Sequence, residues 1–317
     1  MSICPSVVLP YLVNRTDFQY PDFPFSDAMI QKWEWFNLPL GTSFVSVVIF
    51  VLFNYSFGTY WIWQALKRRF HNPNATLLSK GHSYILTACF AEVSLGFALP
   101  YWQAGDSSQL FDNFLALVSL NLLLLVSLIA TLSPHRQALQ DWARYRQKKA
   151  SALIKDLLWS EKSPAVVAIA INLAITCTLM VAWILTWPFG FNADNRIQVL
   201  SGLVLTLNLV LIYATLTQLM LLMKSRLRSL WAAGTVVAAN LLPPSLLSLL
   251  SISPENDWGG FWLLTTAPWD ALKYASATLV VQVILVEWSI LAVLSWQLTR
   301  QLRQAGESAS KALFAAQ

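Results

Sequence analysis

Two carboxylates interrupt long apolar runs, at positions where a side chain could bind a proton inside a membrane. Glu92 stands in the segment CFAEVS, and Glu287 stands in LVEW. An intramembrane charge costs about 3 kcal/mol or more unless it is paired, protonated or wetted. Each carboxylate is therefore a candidate proton-binding group of a proton-linked carrier. The alternative is a protonated or hydrogen-bonded residue that only holds neighbouring helices together, and the residues alone do not decide between these roles.

Groups that usually carry catalysis are sparse and do not converge in the sequence. The histidines and cysteines are few and scattered: His71, His82, His135, Cys4, Cys89 and Cys177. We find no HExxH sequence, nucleophile elbow or phosphate-binding glycine loop, and the cysteines form neither a CxxC pair nor a disulfide framework. The sequence therefore predicts a protein that is not an enzyme and that holds no cofactor or metal of its own.

The composition is that of a membrane protein. Hydrophobic residues make up 56% of the chain and charged residues 12%, whereas charged residues make up about 25% of a typical soluble domain. The sequence pI is about 9.1, but the basic residues lie at the ends of apolar runs and form no separate basic domain. This distribution is typical of the positive-inside bias and argues against nucleic-acid binding. The expected partner is the lipid bilayer.

Seven apolar runs predict the fold class, an all-α polytopic transmembrane helix bundle. Each run approaches the ~20 residues that a helix needs to cross ~30 Å of hydrocarbon, where backbone polar groups must be paired internally. The predicted spans are Ser43–Leu66, Ser83–Tyr101, Phe114–Leu132, Pro164–Trp187, Gln198–Met223, Leu230–Ile252 and Ala275–Leu298.

The distribution of basic residues predicts the orientation. Of the 21 lysines and arginines, 17 follow the first, third, fifth or seventh span. Because basic loops remain in the cytoplasm, we expect the N-terminus outside and the C-terminus inside. The bacterial inner membrane is the expected location, with a thylakoid membrane as the alternative.

A long polar segment between the third and fourth spans divides the chain. Ser133 is positioned to cap a helix with Pro134 at its first position. In the residues that follow, apolar side chains recur at helical spacing, and basic side chains lie along the same helix. This mixture predicts a basic helix lying in the membrane interface, or alternatively a solvated linker. The expected organisation is an extracytoplasmic arm (1–41), a three-span half (42–133), the basic helix (134–163), a four-span half (164–299) and a cytoplasmic tail (300–317).

Two adjacent prolines lie in the sixth predicted span. Pro243 and Pro244 remove two backbone donors and should break or kink the helix, so they are a candidate hinge. Most spans also carry one amide side chain, and we expect these amides to bond between helices rather than to line a conduit.

Four sequence strings carry a resemblance to a known family. They are YWIWQALKRRFHNPNATLLSK (Tyr60–Lys80), QALQDWARY (Gln137–Tyr145), WSEKSPA (Trp159–Ala165) and LTRQLRQAGESASK (Leu298–Lys311). With these strings the chain resembles the C-terminal half of cyanobacterial-type membrane proteins classed as ABC-2-type transporter permeases. The likeness extends over nearly all of Phe44 to Leu313.

The resemblance implies a membrane subunit of an exporter that is powered by a separate ATPase, which would hold the ATP. Since permeases of this class also have an N-terminal half, it implies a partial or split permease that joins another permease half or a second copy. The expected ATPase-docking residues are basic or polar and cytoplasmic: Arg68, Arg69, Asn72, Lys80, Arg144, Arg146, Lys148 and Lys149. The alternatives are a membrane scaffold or assembly protein that transports nothing, and the carrier described above.

Overall fold

The protein folds into a bundle of α-helices with one short β-hairpin. A computed structural model describes residues 34–36, 38–40, 44–72, 75–98, 107–134, 136–148, 153–186, 193–256, 258–266 and 268–315. The hairpin pairs β1 (Glu34–Trp35) with β2 (Leu38–Pro39) in antiparallel register. The helical content confirms the predicted all-α class. Most of the predicted arm (1–41), including Trp33, lies outside the described residues.

The described residues contain ten α-helices and one 3₁₀ helix, Gly259–Leu264. The α-helices are α1 (Phe44–His71), α2 (Lys80–Leu95), α3 (Ser107–Leu132), α4 (Arg136–Lys148), α5 (Leu153–Trp159), α6 (Val166–Thr186), α7 (Ala193–Leu221), α8 (Arg228–Leu249), α9 (Trp269–Leu272) and α10 (Ala277–Ala315). Six of them are long and apolar enough to cross a membrane: α1, α3, α6, α7, α8 and α10. The chain is therefore a multi-pass membrane protein.

The second predicted span is shorter than expected. Helix α2 has 16 residues and is about 24 Å long, less than the ~30 Å of hydrocarbon. It nevertheless runs antiparallel to α1: Trp61 contacts His82 near its start, and Phe50 contacts Phe97 just beyond its end. Helix α2 is thus a short helix packed within the bundle, whereas the sequence predicted that this segment would cross the membrane as one of seven spans.

Contacts between helices define two ends of the bundle. We call one the basic end, where Arg68 meets Glu161 and where α4 packs beside α7 and α10. We call the other the acidic end, where Trp269 packs against Phe114 and where Phe36 bonds to Gly96. The direction of the chain alternates between these ends in α1, α2 and α3, and again in α6, α7, α8 and α10. The N-terminal side of α1 and the C-terminal side of α10 therefore lie at opposite ends.

The core lies where α3, α6 and α7 meet. Leu125, Ile169 and Val210 are almost completely buried there, and Met180 and Phe114 continue the packing toward the acidic end. By contrast, α1 and α8 leave most of their large apolar side chains exposed, and α10 leaves about half of its described ones exposed. Such exposure is expected where lipid rather than water surrounds the helix.

The basic segment after the third span is not one continuous helix. It forms two helices, α4 and α5, and the apolar stripe of α4 is buried against protein rather than lipid: Leu139 and Trp142 pack with Leu298 and Leu302 of α10. The capping prediction for Ser133 was also wrong, because its hydroxyl donates to the Ile129 carbonyl at 2.5 Å and α4 begins only at Arg136.

Helix α10 continues through the boundary that the sequence placed at residue 299. Its 39 residues give a length of about 58 Å, nearly twice the thickness of the hydrocarbon. The segment that was predicted as a cytoplasmic tail is therefore largely a helical extension, and α4 packs against its first turns.

Candidate functional site: a basic-end assembly and an intramembrane carboxylate

The amino group of Lys80 joins three segments at the basic end. Lys80 is 2% exposed, and its Nζ donates to the Leu157 carbonyl at 2.7 Å, the Ser163 hydroxyl at 2.5 Å and the Pro164 carbonyl at 3.1 Å. An ammonium group has three donors, so this arrangement uses all of them. Burial lowers the pKa of Lys80 to about 8, and the nearby Glu161 carboxylate partly opposes that shift.

A second set of contacts fixes the same region. The Arg68 Nε donates to the Thr76 carbonyl at 2.7 Å, and the guanidinium forms an ion pair with Glu161. The Tyr84 hydroxyl donates to the Leu158 carbonyl at 2.8 Å. The end of α1, the start of α2 and the segment from α5 to α6 are thus bonded into one unit.

The predicted docking residues do not share one environment. Arg69 and Asn72 are exposed on the basic end, and the exposed Arg144 forms an ion pair with Asp141 at 3.4 Å. Arg68 is largely covered by its bonds to Glu161 and Thr76. Lys80 was wrongly predicted as a docking residue, because a partner cannot reach a buried ammonium group whose three donors are in use. Arg146 and Lys148 lie in α4 without described side chains, and Lys149 lies outside the described residues.

Glu287 lies near the middle of the membrane-spanning part of α10 and faces α7. It is 1% exposed, and its Oε2 accepts a hydrogen bond from Asn208 Nδ2 at 3.1 Å. Trp288, the next residue, donates from its indole nitrogen to Asn208 Oδ1 at 3.3 Å. Glu287 Oε1 is buried without a hydrogen-bond partner in the part of the chain that the structure describes.

The direction of these bonds follows from chemistry. An indole N–H can only donate, so the oxygen of Asn208 must face Trp288. The amide NH₂ of Asn208 therefore faces Glu287 and can only donate to it. Two hydrogen bonds thus point in series toward the carboxyl group, which leaves Oε1 as the atom that can accept a proton or a ligand. The sequence singled out Glu287, but it gave no signal that Asn208 would be its partner.

Glu92, the other predicted carboxylate, has a different position. It lies in the last turn of α2, on the exposed side of that helix, and not in the middle of a span as predicted. It is far along the chain from Glu287 and shares none of its contacts. Glu287 is therefore the carboxylate that has a buried partner in another helix, and the two carboxylates do not form one group.

Other buried polar side chains bond between helices, as the sequence predicted. Asn172 donates to the Ser83 hydroxyl and accepts from the Thr87 hydroxyl, both at 3.0 Å, which joins α6 to α2. Asn121 donates to the Ser94 hydroxyl at 3.0 Å and joins α3 to α2. These bonds explain how the short helix α2 is held inside the bundle.

The two prolines of the candidate hinge lie inside a continuous helix. Helix α8 runs from Arg228 to Leu249 through both Pro243 and Pro244, so the predicted break is not observed. A residue in place of Pro243 would donate to the carbonyl four residues earlier, at Ala239. That carbonyl instead accepts from the Tyr213 hydroxyl of α7 at 3.2 Å. The sequence showed that Pro243 lacks a backbone N–H donor, but it did not show that the Tyr213 hydroxyl would replace that donor.

Comparison with known proteins adds no relative. No protein family matches the chain, and no curated protein or solved structure is significantly similar to it.

Proposed function

We propose that the protein is a permease-like membrane subunit of an ABC-2-type exporter that is powered by a separate ATPase. The observation that carries the proposal is the basic end. Four strings support the resemblance, although they are far apart in the sequence, and at the basic end they bond to one another in pairs. Tyr60–Lys80 bonds to Trp159–Ala165 through Lys80 and Arg68, and Gln137–Tyr145 packs on Leu298–Lys311.

A docking surface for an ATPase must transmit force to the spans, and the contacts at this end would do so. Lys80 is the first residue of α2, and the residues that it binds lie in the last turn of α5 and between α5 and α6. Helix α4 is packed on both α7 and α10 through Leu139 and Trp142. A partner that moved α4 would therefore act on α7 and α10, and one that moved the α1–α2 loop would act on α2 and on the segment that joins α5 to α6. The exposed residues Arg69, Asn72 and Arg144 offer it polar contacts.

Affinity purification tests this proposal. We expect the full-length chain, purified from its own membranes in mild detergent, to recover an ATPase subunit with a Walker A sequence and to raise its rate of ATP hydrolysis. The double variant Arg69→Glu/Arg144→Glu should recover much less, whereas Lys273→Glu, an exposed lysine at the acidic end, should recover the normal amount. Repeated purification without an ATPase, although one is expressed, would contradict the proposal.

The geometry of Glu287 favours a second candidate, a proton-linked carrier. A buried carboxyl group that accepts a directed hydrogen bond on one oxygen and leaves the other open is suited to take up and release a proton. In this function Glu287 alone would carry the proton, because Glu92 lies on the exposed side of α2.

Two measurements distinguish the carrier from its alternatives. The infrared carbonyl stretch of a protonated carboxyl group should appear and disappear with pH in the wild type and in Glu92→Gln, and one such band should be missing in Glu287→Gln. Substrate uptake into vesicles, driven by a pH gradient, should likewise be normal in the wild type and in Glu92→Gln and lost in Glu287→Gln. Wild-type spectra and uptake in Glu287→Gln would eliminate the carrier. Unchanged flux in a deletion strain, together with loss of a membrane complex, would favour a scaffold.

A further inference from the structure

A groove runs along one side of α10 as the helix leaves the bundle at the basic end. It has a volume of about 510 Å³, and the residues that line it in the described part of the chain are Ser295, Trp296, Thr299, Arg300, Arg303 and Gln304. Ser295, Thr299 and Arg303 lie four residues apart and form one row along the helix, and Trp296, Arg300 and Gln304 form the adjacent row. The groove therefore follows the helix axis. None of these residues belongs to the Glu287 cluster or to the contacts of Lys80.

The position of the groove along α10 coincides with the membrane boundary. About 20 residues of helix cross the hydrocarbon, so a span that begins at Ala277 reaches the opposite boundary near Trp296. Tryptophan is enriched at that depth. Arg300 and Arg303 lie about one and two turns farther out, at the level where lipid phosphates are found.

The side chains of the groove are arranged for an anion that also has an apolar part. The Arg300 guanidinium lies 5.6 Å from the ring centre of Trp296, a cation–π contact that orients it. Arg300 forms none of the ion pairs found between described residues, and a guanidinium fork matches the oxygens of a phosphate. Trp296 is 61% exposed and covers the apolar end of the groove.

The surface continues toward the hydrocarbon on the same side of the helix. Val293 and Leu285 lie within about a sixth of a turn of Trp296 when the helix is viewed along its axis, and both are more than half exposed. A phosphate at the two arginines would therefore be directly above an apolar strip that an acyl chain could follow. A free phosphate ion would make no use of that strip.

We propose that this groove binds an anionic phospholipid, with its phosphate on Arg300 and Arg303 and an acyl chain along Val293 and Leu285. Because basic residues near a membrane attract anionic lipid and each one strengthens binding by about fivefold, the pair should account for about a 25-fold preference. The lipid would fix the depth of α10 in the membrane at the point where α4 packs on it.

Native mass spectrometry of the detergent-purified full-length chain tests the site. Titration with phosphatidylglycerol should show one lipid that binds about 25-fold more tightly than phosphatidylcholine, and Arg300→Gln/Arg303→Gln should lose that preference. The matched control is Lys224→Gln/Arg226→Gln, which removes the same charge from exposed positions at the same end of the bundle. An equal loss of phosphatidylglycerol binding in the control would overturn the proposal.

A second measurement on the unmodified chain does not depend on the stability of a variant. Photoreactive phosphatidylglycerol should label residues 293–304, and phosphatidylcholine carrying the same group should label them far less. Labelling of other segments with equal intensity would contradict the site. Inorganic phosphate and soluble glycerophosphoglycerol should fail to displace the lipid, and displacement by either at equal concentration would show a site for a soluble phosphate instead.

Discussion

The Tyr213 hydroxyl of α7 donates to the Ala239 carbonyl of α8 at 3.2 Å, and it thereby occupies the acceptor that Pro243 leaves without a partner. An unpaired carbonyl is expensive in hydrocarbon, so a proline inside a span requires a donor from elsewhere. This contact supplies a partner for the carbonyl that Pro243 leaves unpaired in α8.

The Tyr213–Ala239 bond predicts a dependence between two substitutions. Tyr213→Phe should lower the free energy of unfolding by about 1 kcal/mol, which is within the range of hydrogen bonds between membrane helices. In a Pro243→Ala background the new backbone N–H can donate to Ala239, so the same substitution should cost much less. A double-mutant cycle of unfolding in detergent measures the difference. Equal losses in both backgrounds would show that the tyrosine hydroxyl does not replace the missing donor.

Asn208 should be important for stability because Glu287 depends on it. Asn208→Leu removes the donor to a buried carboxyl group and should cost about 1–3 kcal/mol of unfolding free energy. Glu287→Gln keeps an oxygen that can accept from Asn208 and should cost less. The double variant Asn208→Leu/Glu287→Met removes both polar partners and should recover part of the loss. Chemical unfolding in detergent provides the measurement, and an Asn208→Leu variant as stable as the wild type would contradict the arrangement.

The buried ammonium of Lys80 predicts that stability rises with pH. Below about pH 8 both the folded and the unfolded protein hold the proton, so the cost of burying the charge is fully present. Between about 8 and 10.5 the folded protein has lost a proton that the unfolded chain still binds, and the free energy of unfolding therefore increases. The pKa difference corresponds to on the order of 3 kcal/mol. The unfolding midpoint between pH 7 and 10.5 measures this rise.

Two variants test the origin of that rise. Lys80→Met should flatten the pH dependence, whereas Lys162→Met, an exposed lysine nearby, should leave it unchanged. Glu161→Gln removes the charge that raises the pKa of Lys80, so the rise should begin at a lower pH than in the wild type. A pH profile that is the same in Lys80→Met and the wild type would exclude Lys80 as its source.

Two helical glycines form a matched pair for packing. A methyl group at Gly202 of α7 would lie 2.5 Å from a ring carbon of Trp269, and Phe111 and Phe114 contact the same ring. Gly202→Ala should therefore destabilise the protein by about 1–3 kcal/mol. A methyl group at Gly234 of α8 would meet nothing within 4 Å, so Gly234→Ala should be neutral or slightly stabilising. Thermal unfolding of both variants checks the contrast. Similar melting temperatures for the two would argue against the packing of α9 on α7.

The sequence by itself determined that the chain is a helical membrane bundle, because runs such as Val166–Thr186 contain too few polar residues to be exposed to water and are long enough to cross lipid as helices. It also located the charged groups at the two ends and identified Glu287 as exceptional. Each of these properties depends on the transfer of local segments between water and lipid, so it is encoded within a window of about 20 residues.

Only the tertiary structure decided which side chains meet. Lys80 looked like an exposed loop residue until Ser163, 83 positions later, was found to bind it. The apolar stripe of α4 suited lipid and the flank of α10 equally well, and packing selected α10. Glu92 and Glu287 had the same local pattern, but only Glu287 faces another helix. Partners of this kind are set by how helices pack in three dimensions, and the pattern of one segment carries no record of the surface it will meet.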